Sequence, residues 1–230
     1  MAKKATSPLK ITAHLIDGRL NSADGVVMFD GILYHAWFAK HAPHVLEGLG
    51  SAKYDGYVGL PLRQLPGNRW AASRGIYEEV GQSVENINKR PDFFAADKLE
   101  YLAQNSGLIS GKVGKYRAYR VPNMIRTVKD GIVVFWAMGH RDEVQALLDN
   151  VAAVGKKPAA GFGLVDRWVV EDADDDYTFM HPQHGLMRPT PVDEAPELSG
   201  YPIMQYAIRP PYWKPCNLRL CHVPLPKVQL

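Results

Sequence analysis

One stretch, Gly131 to Glu171, constrains the fold of this 230-residue chain more than any other part of the sequence. It opens with an apolar run, Gly131 to Met138, whose length and Val, Ile and Phe content predict a strand. Residues 141–154 follow with apolar side chains at helical spacing, and Gly155 is a typical helix terminator. A second apolar run, Leu164 to Val170, predicts another strand. The stretch therefore predicts a strand, a helix, a glycine-rich basic loop and a strand, in that order.

The loop inside this stretch is the first candidate binding site. Its glycines follow a helix and precede a strand, whereas phosphate loops and dinucleotide-binding loops lead from a strand into a helix. Glycine allows the main chain to approach a phosphate closely, and lysine supplies positive charge, so the loop favours contact with a nucleic-acid backbone. An ordinary solvated connection is the alternative. The candidate contacts in the loop are Lys156, Lys157, Gly161, Phe162 and Gly163.

Residues 111–130 form the most basic part of the chain. We expect a strand over 115–127, joined through a hairpin turn at Lys129, Asp130 and Gly131 to the apolar strand that follows. Cations interleaved with tyrosines are typical of a surface that binds an anionic backbone, although a solvated sheet face would have the same composition. The candidate RNA contacts in this segment are Lys112, Lys115, Tyr116, Arg117, Arg120 and Arg126.

The first half of the chain predicts smaller elements. Alternating apolar residues predict a strand from Leu9 to Ile16, and Asp30 is the expected N-cap of a helix from Gly31 to about His41. A short helix is expected over residues 92–104. Between these two helices, prolines interrupt short strand-like runs, which indicates an irregular segment.

A basic patch surrounds Trp70 in this irregular segment. Arginine holds phosphate while an aromatic ring stacks on a base, so the patch favours RNA contact. Burial of Trp70 in the core is the alternative, because tryptophan side chains are mostly buried. Two arginines of the patch are candidate RNA contacts, Arg69 and Arg74, and a third, Arg63, lies beside them.

Composition limits the classes of function. A net charge of +3 and a pI near 8.7 confine any nucleic-acid surface to a local patch. Two cysteines, the lack of an apolar run of roughly 18 residues and a basic start without a signal-type apolar region predict a cytoplasmic protein with no membrane span. The histidines and cysteines between 181 and 222 fit no tight zinc-site spacing, so we expect no metal and no cofactor.

Taken in order, the predicted elements indicate an α+β protein with a ferredoxin-like or RRM-type βαββαβ core. We expect one domain over residues 1–230, with its core in 9–43 and 111–171 and an insertion over 44–110. Frequent prolines from residue 182 predict an extended C-terminal segment over 182–230 that wraps the core. The aromatic residues Tyr212 and Trp213 in this segment predict a surface for a partner.

The helix followed by Gly155-Lys156-Lys157 and Gly161-Phe162-Gly163 resembles the signature loop of the RAMP superfamily of CRISPR RNA-binding proteins. The Leu9–Ile16 strand, the helix start at Asp30 and the Met187-Arg188-Pro189 segment strengthen this resemblance, which spans about residues 9–192. Within that superfamily the chain is similar to the subunit of type IV CRISPR effector complexes that caps the 5′ end of the guide RNA. The loop of this chain is shorter and less basic than the resemblance would require.

The resemblance implies a non-catalytic subunit of a ribonucleoprotein. Such a subunit holds the repeat-derived 5′ handle of the CRISPR RNA (crRNA) and adjoins the backbone, Cas-seven-like subunits. It also adjoins a large-subunit-like protein, near the place where target DNA enters and its adjacent motif is read. By position, the residues of the glycine-rich loop would line the handle. Arg188 joins the candidate RNA contacts on the basis of its charge.

Two alternatives remain open from the sequence. One is a metal-independent endoribonuclease that cuts repeat RNA, which would need a His or Tyr acid/base pair with a lysine nearby. His14, His35 and Tyr116 supply the residue types, and Lys112 or Lys115 would supply the lysine. The other alternative is a generic RNA-binding protein outside CRISPR systems.

Overall fold

A computed structural model describes residues 5–46, 54, 58–89 and 119–224 of the chain. The described helices, α1 and α2, are Phe29–His41 and Arg141–Leu148. The strands β1 to β13 are, in chain order, Ser7–Leu15, Arg19–Asn21, Gln64–Leu65, Arg69–Trp70, Glu79–Lys89, Tyr119–Val128, Ile132–Gly139, Val165–Asp172, Met180–His181, Gly185–Leu186, Thr190–Pro191, Ile203–Ala207 and Leu218–His222. Helices combined with small antiparallel sheets confirm the α+β class. The expected helix over 92–104 lies outside the described residues.

The central sheet has the order β7-β1-β8, with β1 antiparallel to both neighbours. Alternation along β1 buries Leu9, Ile11 and Ala13 completely, as the sequence pattern predicts. Both helices pack on this apolar face, and their buried side chains join those of the strands in one hydrophobic cluster. The rings of Phe29 in α1 and Phe135 in β7 lie 5.3 Å apart in that cluster. The sheet and the two helices thus enclose the main core.

Strands β7 and β8 flank β1 and are parallel to one another, with α2 between them in the chain. The predicted strand–helix–loop–strand order of this stretch is therefore confirmed. The helix is shorter than predicted, because it ends at Leu148 instead of continuing to residue 154. Beyond it, Trp168 Nε1 donates to Val151 O at 2.9 Å and Ala153 bridges Leu164, so β8 holds the end of this segment in extended form.

The basic strand pairs differently from the prediction. It is present as β6, but β6 lies between β2 and β5 in a separate sheet, β2-β6-β5, and does not pair with β7 in a hairpin. Asp130 (φ 54°) and Gly131 (φ 65°) both adopt left-handed backbone in the connection, which turns the chain out of the plane of β6. A Cβ atom on Gly131 would lie 2.6 Å from Leu15 O, so only glycine fits where the connection crosses β1.

The outer edge of β7 is bridged instead by the irregular segment that precedes β5. Leu62, Ala72 and Ile76 each form an antiparallel bridge to β7, at Gly139, Ala137 and Val134 respectively. Trp70 in this segment is 8% exposed, which confirms the alternative that it is a core residue. The segment thus extends the central sheet without forming a long regular strand.

The helix α1 begins two residues earlier than expected. Met28 is the N-cap residue, and Asp30 lies inside the first turn with 3% of its surface exposed. The tail explains this placement, because Tyr212 OH donates to Asp30 Oδ1 at 2.5 Å. The C-terminal segment also contains a small sheet, β11-β13-β12. No helix in the described part of the chain has the length and apolar character needed to cross a membrane.

Candidate nucleic-acid interface

The glycine-rich loop, residues 155–163, is fixed to β2 by backbone hydrogen bonds. Gly163 N–H donates to Arg19 O at 2.6 Å, and Lys156 N–H donates to Asn21 O at 3.0 Å. A Cβ atom on Gly163 would overlap Val154 O, and one on Gly155 would lie 2.8 Å from Asn21 O. Both glycines also have positive φ. The loop glycines therefore permit the close packing of the loop on β2.

The two loop lysines face solvent. Lys156 and Lys157 are exposed, and Lys157 adopts the left-handed conformation with φ 61°. Among the described residues, no salt bridge involves either of them, whereas Arg19 and Arg167 are each paired with an aspartate. Gly161 has φ 85° and open space around its Cα. The loop therefore presents two unpaired cations on a fixed backbone, which is the chemistry that binds phosphate.

Phe162 anchors the loop. Its side chain is 3% exposed, and the Arg19 guanidinium carbon lies 5.2 Å from the centre of its ring. Arg19 is itself held by Asp17 Oδ2 at 2.8 Å and Glu85 Oε1 at 3.3 Å. A buried ring in this position fixes the loop to β2 and has no free face for a nucleobase. The geometry therefore supports an anchoring role for Phe162.

A cleft of about 630 Å³ opens beside the loop, between α1, β2 and the C-terminal segment. Tyr34, Trp213 and the Pro210–Pro211 pair supply apolar walls, and Trp213 is 65% exposed. Lys156 and His35 lie at its polar rim. An exposed indole that lines the same cleft as an unpaired lysine can stack on a base while the cation contacts a phosphate of the same strand.

Two tyrosine hydrogen bonds hold the C-terminal wall of the cleft in place. Tyr212 OH bonds Asp30, and Tyr206 OH donates to Asp24 Oδ2 at 2.7 Å. Burial raises the pKa of Asp30 to about 6, although the bond from Tyr212 and the charge of Arg188 act in the opposite direction. Burial and the neighbouring Asp30 carboxyl raise the pKa of Tyr212 well above its usual value. These bonds attach the tail to α1 and to the β2–α1 connection.

Arg126, a candidate RNA contact near the end of β6, is buried in the protein. Arg126 is 7% exposed, and it donates from Nε to Ser22 O at 3.0 Å and from Nη2 to Ala23 O at 3.2 Å. Its Nη1 lies 2.6 Å from Glu79 Oε2. Arg120 is exposed on β6. Four further candidates from this segment, Lys112, Lys115, Tyr116 and Arg117, lie outside the described residues.

The other candidate arginines also bind the protein itself. Arg69 donates to Pro66 O at 2.9 Å and pairs with Glu194 at 2.6 Å, while Arg74 donates to Leu186 O at 3.4 Å. Arg188 is half-buried and donates to Trp70 O at 3.3 Å. Desolvation lowers the pKa of both Arg74 and Arg188. These three guanidinium groups attach the C-terminal segment to the core instead of projecting toward the loop.

The histidines considered for other chemistry are dispersed. His14 on β1 lies 3.4 Å from Arg167, measured from Nδ1 to Nη2, whereas His35 lies on α1 at the rim of the cleft. The rings of His181 and His184 stack 4.5 Å apart beside Trp136. In residues 5–46, 54, 58–89 and 119–224, no group of three or more His, Cys, Asp or Glu side chains could hold a metal ion.

The cleft itself has no counterpart in the sequence analysis. Its walls come from residues near 21–35 and 205–218, which are far apart in the chain. The aromatic residues Tyr212 and Trp213 were the available signal, and they predicted a partner surface without indicating the opposite wall.

The family model for "CRISPR type IV associated protein Csf3" matches residues 7–224 of the chain. The matched region includes both the glycine-rich loop and the walls of the cleft. A comparison with curated proteins gives no match.

Proposed function

Because this chain belongs to the family of the CRISPR type IV associated protein Csf3, we propose that it binds the 5′ handle of crRNA in a type IV CRISPR ribonucleoprotein. Family membership establishes the association with type IV CRISPR systems. The proposal adds the ligand, which is a single-stranded RNA end, and the surface that contacts it. That surface consists of the glycine-rich loop together with the adjoining cleft.

One observation carries the proposal: a fixed loop presents two exposed, unpaired lysines, and one of them, Lys156, lines an aromatic cleft. Lys156 and Lys157 would contact successive phosphates, and their binding would weaken as salt rises. A base next to those phosphates would enter the cleft and stack on Trp213. A cleft of this kind accepts one base of a strand end more readily than a duplex, whose bases are already stacked.

We further propose that the core is a ferredoxin-like, RAMP-type module. Its support is the antiparallel order β7-β1-β8 with α2 connecting the two outer strands across β1. In this proposal residues 62–76, which bridge the free edge of β7, take the place of the second strand of the βαββαβ pattern. The β2-β6-β5 sheet is then an addition to the module.

The proposed role is structural and non-catalytic. The subunit would end the filament of backbone subunits in the cytoplasm, next to the large-subunit-like protein and near the target DNA and its adjacent motif. Support comes from the described histidines, several of which serve packing: His181 and His184 stack on Trp136, and His222 is buried.

The test is to co-express the chain with its genomic neighbours, purify the assembly through a tag on this chain, and sequence the bound RNA. We expect guide-length RNAs that share one 5′ end. The double variant Lys156→Glu/Lys157→Glu should lose that uniform end. The matched control, Lys10→Glu/Lys40→Glu, makes the same change in net charge at exposed sites outside the loop and should retain it.

Heterogeneous RNA in the wild-type assembly would contradict handle binding and favour a generic RNA-binding protein. Catalysis is tested separately by incubating the protein with repeat RNA in EDTA. Intact RNA is expected. One discrete cut with a 2′,3′-cyclic phosphate end would replace the structural role with that of an endoribonuclease.

A further inference from the structure

In the part of the chain that the structure describes, the C-terminal sheet has an open edge at β12. The strand order is β11-β13-β12, so β12 pairs with β13 on one side only. Val223 N–H donates to Pro202 O and Ile208 N–H donates to Asn217 O, at 2.9 and 3.0 Å. In an antiparallel pair such bonded positions alternate, so the even-numbered residues of β12 bond β13. Ile203 and Gln205 therefore direct their N–H and C=O groups to the open side.

The side chains around this edge are apolar and exposed. Half of the exposed large hydrophobic side chains in the described part of the chain lie between residues 203 and 220. Because directly paired residues share a face, Ile203 and Gln205 lie on the same face as Leu218 and Leu220. The exposed fractions are 52% for Ile203, 43% for Leu218 and 56% for Leu220. Met204, on the opposite face, is 47% exposed.

We propose that the open edge of β12 receives a β-strand from a different protein subunit of the same complex. Backbone groups at Ile203 and Gln205 would bond the incoming strand, and alternate apolar side chains of that strand would cover Ile203, Leu218 and Leu220. An exposed apolar edge invites pairing, and stable proteins cover such an edge or place charges on it. The inference rests on the proposed membership of a complex. Its surface adjoins the proposed RNA cleft, because Gln205 and Leu218 also line that cleft, whereas Ile203 and Leu220 do not.

The charge of the surface identifies the class of partner. Ile203, Gln205, Leu218 and Leu220 form a face without a charged side chain. An RNA backbone requires cations opposite its phosphates, so this face does not match a phosphate backbone. The loop with Lys156 and Lys157 has the opposite character. An uncharged segment of extended protein chain complements both the backbone edge and the aliphatic side chains.

The sharpest test replaces Gln205 in the assembled complex. Gln205→Pro removes the outward N–H but leaves the bonds to β13 intact, and proline is tolerated at strand edges. The matched control Gln205→Ala removes the same side chain and keeps the N–H. With the co-purified complex as the probe, we expect the proline variant to retain at least tenfold less of one protein subunit. The alanine variant should retain it as the wild type does, and both chains should melt at similar temperatures.

A second arm tests the apolar face and identifies the partner. Leu220→Glu should release the same subunit, whereas Val80→Glu, which adds a charge at an equally exposed aliphatic residue on β5, should not. A photo-crosslinking residue at position 203 should attach to a segment of that subunit. Crosslinks to RNA or to a second copy of this chain, or full retention of the subunit by the proline variant, would overturn the proposal.

These experiments distinguish a failure of the strand-docking proposal from a failure of the handle-binding proposal. If the RNA keeps its uniform 5′ end but position 203 crosslinks to no subunit, the strand-docking proposal fails alone. If the crosslink to the subunit persists while the RNA is heterogeneous, handle binding fails alone.

Discussion

The glycine-rich loop and strand β6 both have positively charged side chains, but the two regions differ in where those charges lie. Lys156 and Lys157 face solvent on a backbone fixed by glycines, whereas Arg126 is buried against carbonyl groups and Glu79. Arginine can satisfy several acceptors at once with its planar group of donors, and lysine is a more strongly hydrated point charge. In this protein the buried arginines hold elements together, and the two exposed lysines of the loop are available for a ligand.

The largest effect should come from the loop glycines. Gly163→Ala should destabilise the fold by roughly 4 kcal/mol, because the added Cβ would overlap Val154 O at a positive φ. Gly161→Ala is the matched control, since it also has positive φ but open space, and should cost about 1 kcal/mol. Denaturant unfolding of the two variants measures this difference. Equal losses would contradict the close approach of Gly163 to Val154 O.

Arg126→Met should cost about 3 kcal/mol of stability, because it leaves Glu79 and the carbonyls of Ser22 and Ala23 without their donor. Denaturant unfolding gives the loss of stability, and the amount of RNA bound per folded molecule gives the effect on binding. We expect that amount to be unchanged. A stable Arg126→Met protein with weakened RNA binding would show that Arg126 contributes to RNA binding instead of to the stability of the fold.

Stability should also depend on pH through Asp30. Its pKa is raised to about 6 from an ordinary value of 3.8, so its contribution is fully present below about pH 4 and is lost as the pH rises through 6. The Asn variant keeps an acceptor for Tyr212 without a buried charge. Relative to wild type, Asp30→Asn should therefore gain about 3 kcal/mol between pH 4 and pH 8. Thermal unfolding across this range measures the gain, and a constant difference would contradict it.

The smallest effect on stability should come from the loop lysines. Lys156→Gln/Lys157→Gln should change the free energy of unfolding by less than about 0.5 kcal/mol, because both side chains are exposed. The dependence of RNA affinity on salt should change instead, with the slope of log K against log salt falling by about 1.4 in magnitude for two lost phosphate contacts. Lys10→Gln/Lys40→Gln is the control. An unchanged slope in the loop variant would place the RNA elsewhere.

The sequence predicted the central elements well, because their patterns are local. Alternation in β1 and the apolar runs of β7 and β8 give bounds within about two residues of the structure. The pairing of β6 could not be read in the same way. The turn residues Asp130 and Gly131 are as common in hairpins as in the out-of-plane connection found here, and only contacts with β2 and β5 distinguish the two.

The candidate site was predicted in part for the same reason. The glycines and lysines of the loop are consecutive in the sequence, and the structure keeps them together. Burial of Arg69 and Arg74 depends on the C-terminal segment, more than 100 residues away, which supplies Glu194 and Leu186 O as their partners. Charge along a sequence does not report which cations find internal acceptors. The cleft depends on the same long-range docking, through Tyr212 and Asp30.

Strand β2 gives the molecule a mechanical connection between two surfaces. On one side it pairs with β6, from Arg19 opposite Thr127 to Asn21 opposite Ile125, and on the other side its carbonyls hold Gly163 and Lys156. A three-residue strand bonded along both edges cannot shift without carrying both neighbours. A displacement of β5 and β6 would therefore reach the loop lysines through one intervening strand, β2. The position of the loop is in this way coupled to the sheet that β5 and β6 form with β2.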